Sequence, residues 1–241
     1  MRAEARHQLK EDRFSKATLE AAEKTVHWSQ EHQGKLIAAA VAVVAIAAIG
    51  FGGWYYVNTQ NEKASLDVAA GVRTLETPLR QAGTPAQADY PSFESEKERA
   101  STARKQFQEI VDKYPQTHNA KLARYFVGVT AAQMGDNATA ERDLQETAGS
   151  SDAGLASLGK MALASVYRNE KKDAQAIDIY KQLIDKPTEL VSKVTAQLEL
   201  AELYESQGKP DEAKNIYTQV QKENPATQAA SLAQQRLAEI K

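Results

Sequence analysis

Hydrophobic and polar positions follow two different patterns along this 241-residue chain. From Leu36 to Val57 the run "LIAAAVAVVAIAAIGFGGWYYV" holds 22 residues and no charge. At about 1.5 Å per residue a helix of that length covers roughly 33 Å, enough for a hydrocarbon core of about 30 Å. Trp54, Tyr55 and Tyr56 close the run, where rings with one apolar and one polar end favour the headgroup layer. Gly50, Gly52 and Gly53 weaken a helix in water but are tolerated in lipid, where the backbone has no competing hydrogen-bond partner. The pattern predicts a transmembrane helix over residues 36–57. A signal peptide has a short basic leader and a shorter apolar stretch, whereas 35 residues with 6 acidic and 7 basic side chains precede this one. A soluble helix of this length would also carry a polar face.

Beyond Val57 apolar residues recur at helical spacing between short breakers, and the segments repeat. "YFVGVTAAQMGDNATAERDL", "ALASVYRNEKKDAQAIDIY" and "LELAELYESQGKPDEAKNIY" align, and a half-match with Ala103, Phe107 and Pro115 lies upstream. The aligned alanines Ala103, Ala140, Ala176 and Ala213 are 37, 36 and 37 residues apart. Each unit reads as a helical hairpin. A small residue on the first helix (Gly128, Ala164, Ala201) and an alanine on the second allow close approach. Tyr167 with Tyr180, and Tyr204 with Tyr217, fill the space between neighbouring hairpins, which cannot bury their apolar faces alone. Asp136 after Gly135 and Pro210 after Gly208 suit helix starts, Pro225 stops the last hairpin, and Thr227–Ile240 reads as a capping helix. This order of small, aromatic, Gly, small, aromatic and Pro positions resembles the tetratricopeptide repeat, whose unit is about 34 residues. The third unit matches best; the second has Lys171 in place of the turn glycine, and the first has Ala131 in place of an aromatic. The expected fold is all-α, a single transmembrane helix followed by a tetratricopeptide-repeat-like α-solenoid of helical hairpins.

Three domains follow: a charged leader at 1–35, the span at 36–57 and the repeat domain at 58–241. Phe14, Ala17, Ala21, Thr25 and Trp28 place a thin apolar stripe on the leader, which is expected to be helical. It carries seven Lys and Arg, against Lys63 and Arg73 in the 20 residues beyond the span. The positive-inside rule therefore puts the N-terminus in the cytoplasm and the repeat domain outside. Glu62 to Gln81 is helical in pattern and able to continue the span outward. Residues 83–92, with Gly83, Pro85 and Pro91, read as a loop, and Ser95 with Glu98 as a capping box.

Composition narrows the chemistry. A net charge of -2 and pI near 6.1 exclude a nucleic-acid binder, because nothing neutralises a run of phosphates. The absence of cysteine removes disulfides, thiolate metal sites and cysteine nucleophiles together. With 42% hydrophobic but only 7% aromatic residues, Ala, Leu, Val and Ile carry the apolar share, which suits helices and disfavours an all-β fold. His7, His27, His32 and His118 lack zinc-ligand spacing, "GSSD" at 149–152 reads as a turn and cap, and no phosphate-binding loop, dinucleotide fingerprint or nucleophile elbow is present. No catalytic residue, cofactor or metal is expected, and the chain is not read as an enzyme.

The resemblance to the repeat family implies that the first helix of each hairpin lines a concave groove. Its groove positions fall on Leu122, Tyr125 and Val129, then Leu158, Met161 and Arg168, then Leu198, Glu202 and Glu205. An apolar half beside an acidic end suits extended or partly unfolded polypeptide. The family's two-carboxylate clamp needs Lys and Asn where Tyr125 and Val129 stand, so that ligand class is not expected. The competing expectation is that residues 62–81 fold back and fill the groove. The leader's end "WSQEHQGK", the span's end "GWYYVNTQNEKAS" and the divergent repeats together resemble the YfgM family of bacterial inner-membrane proteins, ancillary to the SecYEG translocon. That resemblance implies a single-pass inner-membrane protein with a periplasmic repeat domain. Its implied partners are the SecYEG translocon, a PpiD-like periplasmic chaperone, unfolded secreted polypeptides and membrane lipid. The alternatives are a scaffold for envelope or secretion-machine assembly using the same repeats, and a tethered regulator acting through its leader.

Overall fold

The computed structural model describes Lys24, Trp28, residues 32–80 and residues 92–240. Most of the leader with its apolar stripe, and nearly all of the loop expected at 83–92, lie outside the described residues. The chain divides into two compact units between Tyr56 and Val57, and helix α1 (Gln33–Glu76) contributes to both.

In the first unit every α1 side chain from Gln33 to Tyr56 is exposed, including Val44 at 68% and Ile49 at 76%. Among the described residues, and apart from the adjoining backbone of α1 itself, no atom lies within 4 Å of where a side chain would begin on Gly50, Gly52 or Gly53. This stretch is long and apolar enough to cross a membrane.

The second unit holds the rest of α1 and eight further described helices. They are α2 (Glu96–Lys113), α3 (His118–Gln133), α4 (Asn137–Ala148), α5 (Ala153–Asn169), α6 (Asp173–Asp185), α7 (Lys193–Ser206), α8 (Pro210–Glu223) and α9 (Gln228–Glu239). From α2 onward each packs on its successor, and α3 also touches α5. Among the described residues there is no strand, and Leu79 and Phe93 form one isolated parallel bridge.

Short polar side chains start the helices. Ser95, Thr117, Asp136, Asp152, Ser192 and Thr227 each accept a hydrogen bond from the N–H three residues on, satisfying a donor that has no partner within the helix. The box at Ser95 is displaced by one residue, because the Glu98 carboxylate accepts from the Glu94 N–H. α8 starts on Pro210 without a side-chain cap. All three internal turns close with one bond, from Asp136, Lys172 and Lys209 N–H to the Ala131, Tyr167 and Tyr204 carbonyls. Their left-handed residues are Gly135, Lys171 and Gly208, with φ of +79°, +61° and +69°.

The repeat is visible in the burial. Ala103, Ala140, Ala176 and Ala213, and the residues four positions later, Phe107, Leu144, Tyr180 and Tyr217, are all fully buried. The upstream half-match is a complete hairpin. Residues 57–76 of α1 supply its first helix, and Ala64 and Val68 join Ala103, Phe107, Ile110, Ala120, Ala123 and Val127 in one core cluster. A side chain on Gly71 would meet Phe107 at 2.6 Å, as one on Gly128 would meet Leu144 at 2.6 Å. Asn61 accepts from the Asn119 backbone N–H at 3.0 Å, and Tyr114 donates to Asp67 at 3.1 Å.

Candidate functional site

α3, α5 and α7 are the first helices of three hairpins, and the nine positions expected to line a groove lie on them. All nine are half-buried. Leu122 packs with Phe126 on the cluster around Phe107. Tyr125, Val129, Leu158 and Met161 lie on the central cluster, which contains no residue of α1. Leu198 lies on the C-terminal cluster with Tyr217 and Val220. The expectation that residues 62–81 fill the groove does not hold for the part that is described: through Leu75 it packs as the first hairpin. Thr77 then accepts from Arg99 at 2.9 Å, and Arg80 pairs with Glu94.

Tyr125, Val129, Leu158 and Met161 form the apolar section. Burial pushes the Tyr125 phenol above its ordinary range. The other section is a ladder of alternating charge. Arg168 on α5 bonds Glu199 at 3.0 Å and lies 3.9 Å from Glu202, both on α7. Arg236 on α9 reaches Glu202 at 3.9 Å and Glu239 at 3.6 Å. Arg168 and Glu202 are thus brought together.

Two residues of this ladder were not anticipated. Glu199 and Arg236 complete it, and the Tyr180 and Tyr217 side chains of the second helices are fully buried beside it, with Ser165 and Glu205 as the hydrogen-bonding neighbours of their hydroxyls. Burial raises the Tyr180 phenol, with Glu199 adding to the effect. Burial likewise raises Tyr217, reinforced by the neighbouring Glu205. Tyrosines where the earlier hairpins carry Phe107 and Leu144 were the available sequence signal.

Among the described residues no group of three or more His, Asp or Glu could hold a metal ion. His118 opens α3 with Nδ1 3.8 Å from Asp152, and His32 stacks on Trp28 at 4.9 Å. His7 and His27 lie outside the described residues. Outside the groove, Asp143 is 2% exposed on α4 and neutralised by Arg142 at 2.9 Å and Arg124 at 3.5 Å, an arrangement that fastens α3 to α4.

A family model described as a tetratricopeptide repeat-like domain matches residues 26–186. A second, described as a tetratricopeptide repeat, matches residues 195–227. No curated protein matches, and no solved structure does.

Proposed function

Because the chain belongs to the tetratricopeptide repeat-like domain family, whose repeats act in protein–protein contacts, we propose that it is a non-enzymatic, membrane-anchored adaptor working at the Sec translocon. Residues 36–57 cross the bacterial inner membrane, with Trp54, Tyr55 and Tyr56 at its outer interface. The leader at 1–35 stays in the cytoplasm and the repeat domain at 58–241 stands in the periplasm. Leu122, Tyr125, Val129, Leu158, Met161, Arg168, Leu198, Glu202 and Glu205 form the contact surface for a PpiD-like chaperone or an emerging secreted polypeptide.

One observation carries this reading. The nine positions are partly exposed, and among the described residues Tyr125, Val129, Leu158 and Met161 pack on a cluster that holds no residue of α1, while Leu122 shares its cluster with Val72 and Leu75. A partly exposed apolar strip of this kind supports a protein partner. The link to the translocon rests on the resemblance of the span and its flanks to the YfgM family.

Photo-crosslinkers at Tyr125, Leu158 and Leu198 in native membranes test the partner directly. Adducts with translocon components, with the membrane-anchored chaperone or with secreted polypeptide are expected, and the absence of all three would sink the adaptor role. Orientation is tested separately with protease added to spheroplasts. Digestion of the repeat domain in intact spheroplasts is expected; protection until the membrane is permeabilised would reverse the topology.

A further inference from the structure

The leader side of the apolar stretch carries an aromatic group of its own. The Trp28 and His32 rings stack with centroids 4.9 Å apart and planes 21° from parallel. The His32 N–H donates to the Trp28 carbonyl at 3.0 Å and the Leu36 N–H to the His32 carbonyl at 2.9 Å, two helical bonds that carry the register of α1 back to Trp28. His32 Nδ1 lies 3.0 Å from the same Trp28 carbonyl. A carbonyl only accepts, so Nδ1 holds the proton of that bond and Nε2 is left for another partner. Trp28 is 54% exposed, and Lys24 and Lys35 are exposed beside it in sequence.

Spacing gives this group its meaning. Trp28 and Trp54 are 26 residues apart, about 39 Å along a helix. A hydrocarbon core with its two headgroup layers measures about 40–45 Å. With Trp54, Tyr55 and Tyr56 in one headgroup layer, Trp28 and His32 therefore fall in the other, where rings with a polar edge are favoured. Charge distinguishes the two ends. Lys24, Trp28, His32 and Lys35 recur at steps of four, four and three residues, the spacing of one helix face, and Glu31 is the one acidic residue from Lys24 to Lys35. Beyond Tyr56 the first charges are Glu62 and Lys63, which offset each other. A lysine close to an anionic membrane surface strengthens attraction to it about fivefold, and its methylene stem lets the ammonium group reach headgroup depth.

We infer that Lys24, Trp28, His32 and Lys35 form a headgroup site for an anionic phospholipid in the leaflet on the leader's side. The two ammonium groups attract the phosphate, and the stacked Trp28–His32 pair fixes the depth of the helix. The inference rests on the reading of residues 36–57 as a membrane span and adds a lipid preference to it.

The chain has two tryptophans, so Trp54→Phe leaves Trp28 as the single indole and Trp28→Phe leaves Trp54. Both full-length chains are placed in vesicles of phosphatidylcholine with phosphatidylglycerol, either lipid being brominated near the headgroup end or near the methyl end of its acyl chains. Each indole is expected to be quenched most by bromine at the headgroup end. Around Trp28, brominated phosphatidylglycerol should associate about fivefold more strongly than brominated phosphatidylcholine, whereas around Trp54 the two should be equal. Lys24→Gln combined with Lys35→Gln should bring the Trp28 ratio to about one, and added salt should lower it. If Trp28 stays in water, or is quenched most at the methyl end, while Trp54 lies at headgroup depth, the site is overturned and the span stands. Trp28 at headgroup depth without a phosphatidylglycerol preference, or with one that survives both lysine substitutions, also overturns the site. Trp54 in water overturns the span and the site with it.

Discussion

Gly159 on α5 lies so close to the end of α4 that an added side-chain carbon would sit 2.7 Å from the Ala148 backbone nitrogen and 2.8 Å from Thr147 Cγ2. A backbone atom cannot rotate away, so the helices must move apart. Alanine gains roughly 1 kcal/mol over glycine inside a helix, yet overpacking here outweighs that gain. Gly159→Ala is expected to destabilise the repeat domain by about 2 kcal/mol in chemical denaturation. At the same scale, acid sensitivity belongs to individual carboxylates. Thr139, through its hydroxyl and N–H, and then Arg104 hold Asp136 below its ordinary 3.8. Lys172 and then Tyr167 hold Glu141 below its ordinary 4.5. Both are lower folded than unfolded, so their contribution is complete above the unfolded values and is lost as pH falls through the folded ones. Urea midpoints should therefore hold from about pH 7 to about pH 5 and decline below. A chain with Asp136→Asn and Glu141→Gln should start with a lower midpoint and show a shallower acid decline. An acid limb as steep as the wild type's would remove these two residues from the explanation.

Between one helix and the next, the turn at Lys171 is the informative case. Its bond from the Lys172 N–H to the Tyr167 carbonyl matches those of the glycine turns, so the hairpin keeps its geometry and Lys171 is forced to a φ of +61°. A side chain in that region costs roughly 1–2 kcal/mol. Lys171→Gly is expected to raise stability by about 1 kcal/mol, read from the denaturant midpoint; no gain would mean that the turn is relaxed by other contacts. Elements like this were legible in the chain because caps, turns and small-to-large pairings are local: Ser95, Asp136, Asp152 and Pro210 start helices where their chemistry predicts. The first hairpin was only half legible. Some 36 residues separate Gly71 from Phe107, against 16 between Gly128 and Leu144, Ala164 and Tyr180, and Ala201 and Tyr217. The long insertion hides the pairing from any search for a fixed period. The charge ladder was hidden for a different reason. Arg168 with Glu199 and Glu202 with Arg236 join residues 31 and 34 apart, and which charges meet depends on the stacking of whole hairpins.

At the scale of the whole molecule, α1 does two jobs with one helix. Its residues from Gln33 to Tyr56 are exposed, whereas Ala64, Val68 and Gly71 are buried in the second unit. The division at Tyr56 and Val57 therefore separates a long, apolar, exposed stretch from one that the repeat domain needs for its own core. A chain starting at Val57 keeps the cover over Phe107 and should be soluble without detergent, monomeric and cooperative in thermal unfolding. A chain starting at Ser92 strips Val68, Val72 and Leu75 from Ala103, Phe107 and Ile110. The loss of burial, on the order of 4 kcal/mol, is a large fraction of the stability of a domain this size. This second chain should aggregate or melt well below the first. Equal melting temperatures would show that the solenoid begins at α2 and that the outer part of α1 is only a stalk. A lower one places the foundation of the repeat domain on the same helix that carries the long apolar stretch.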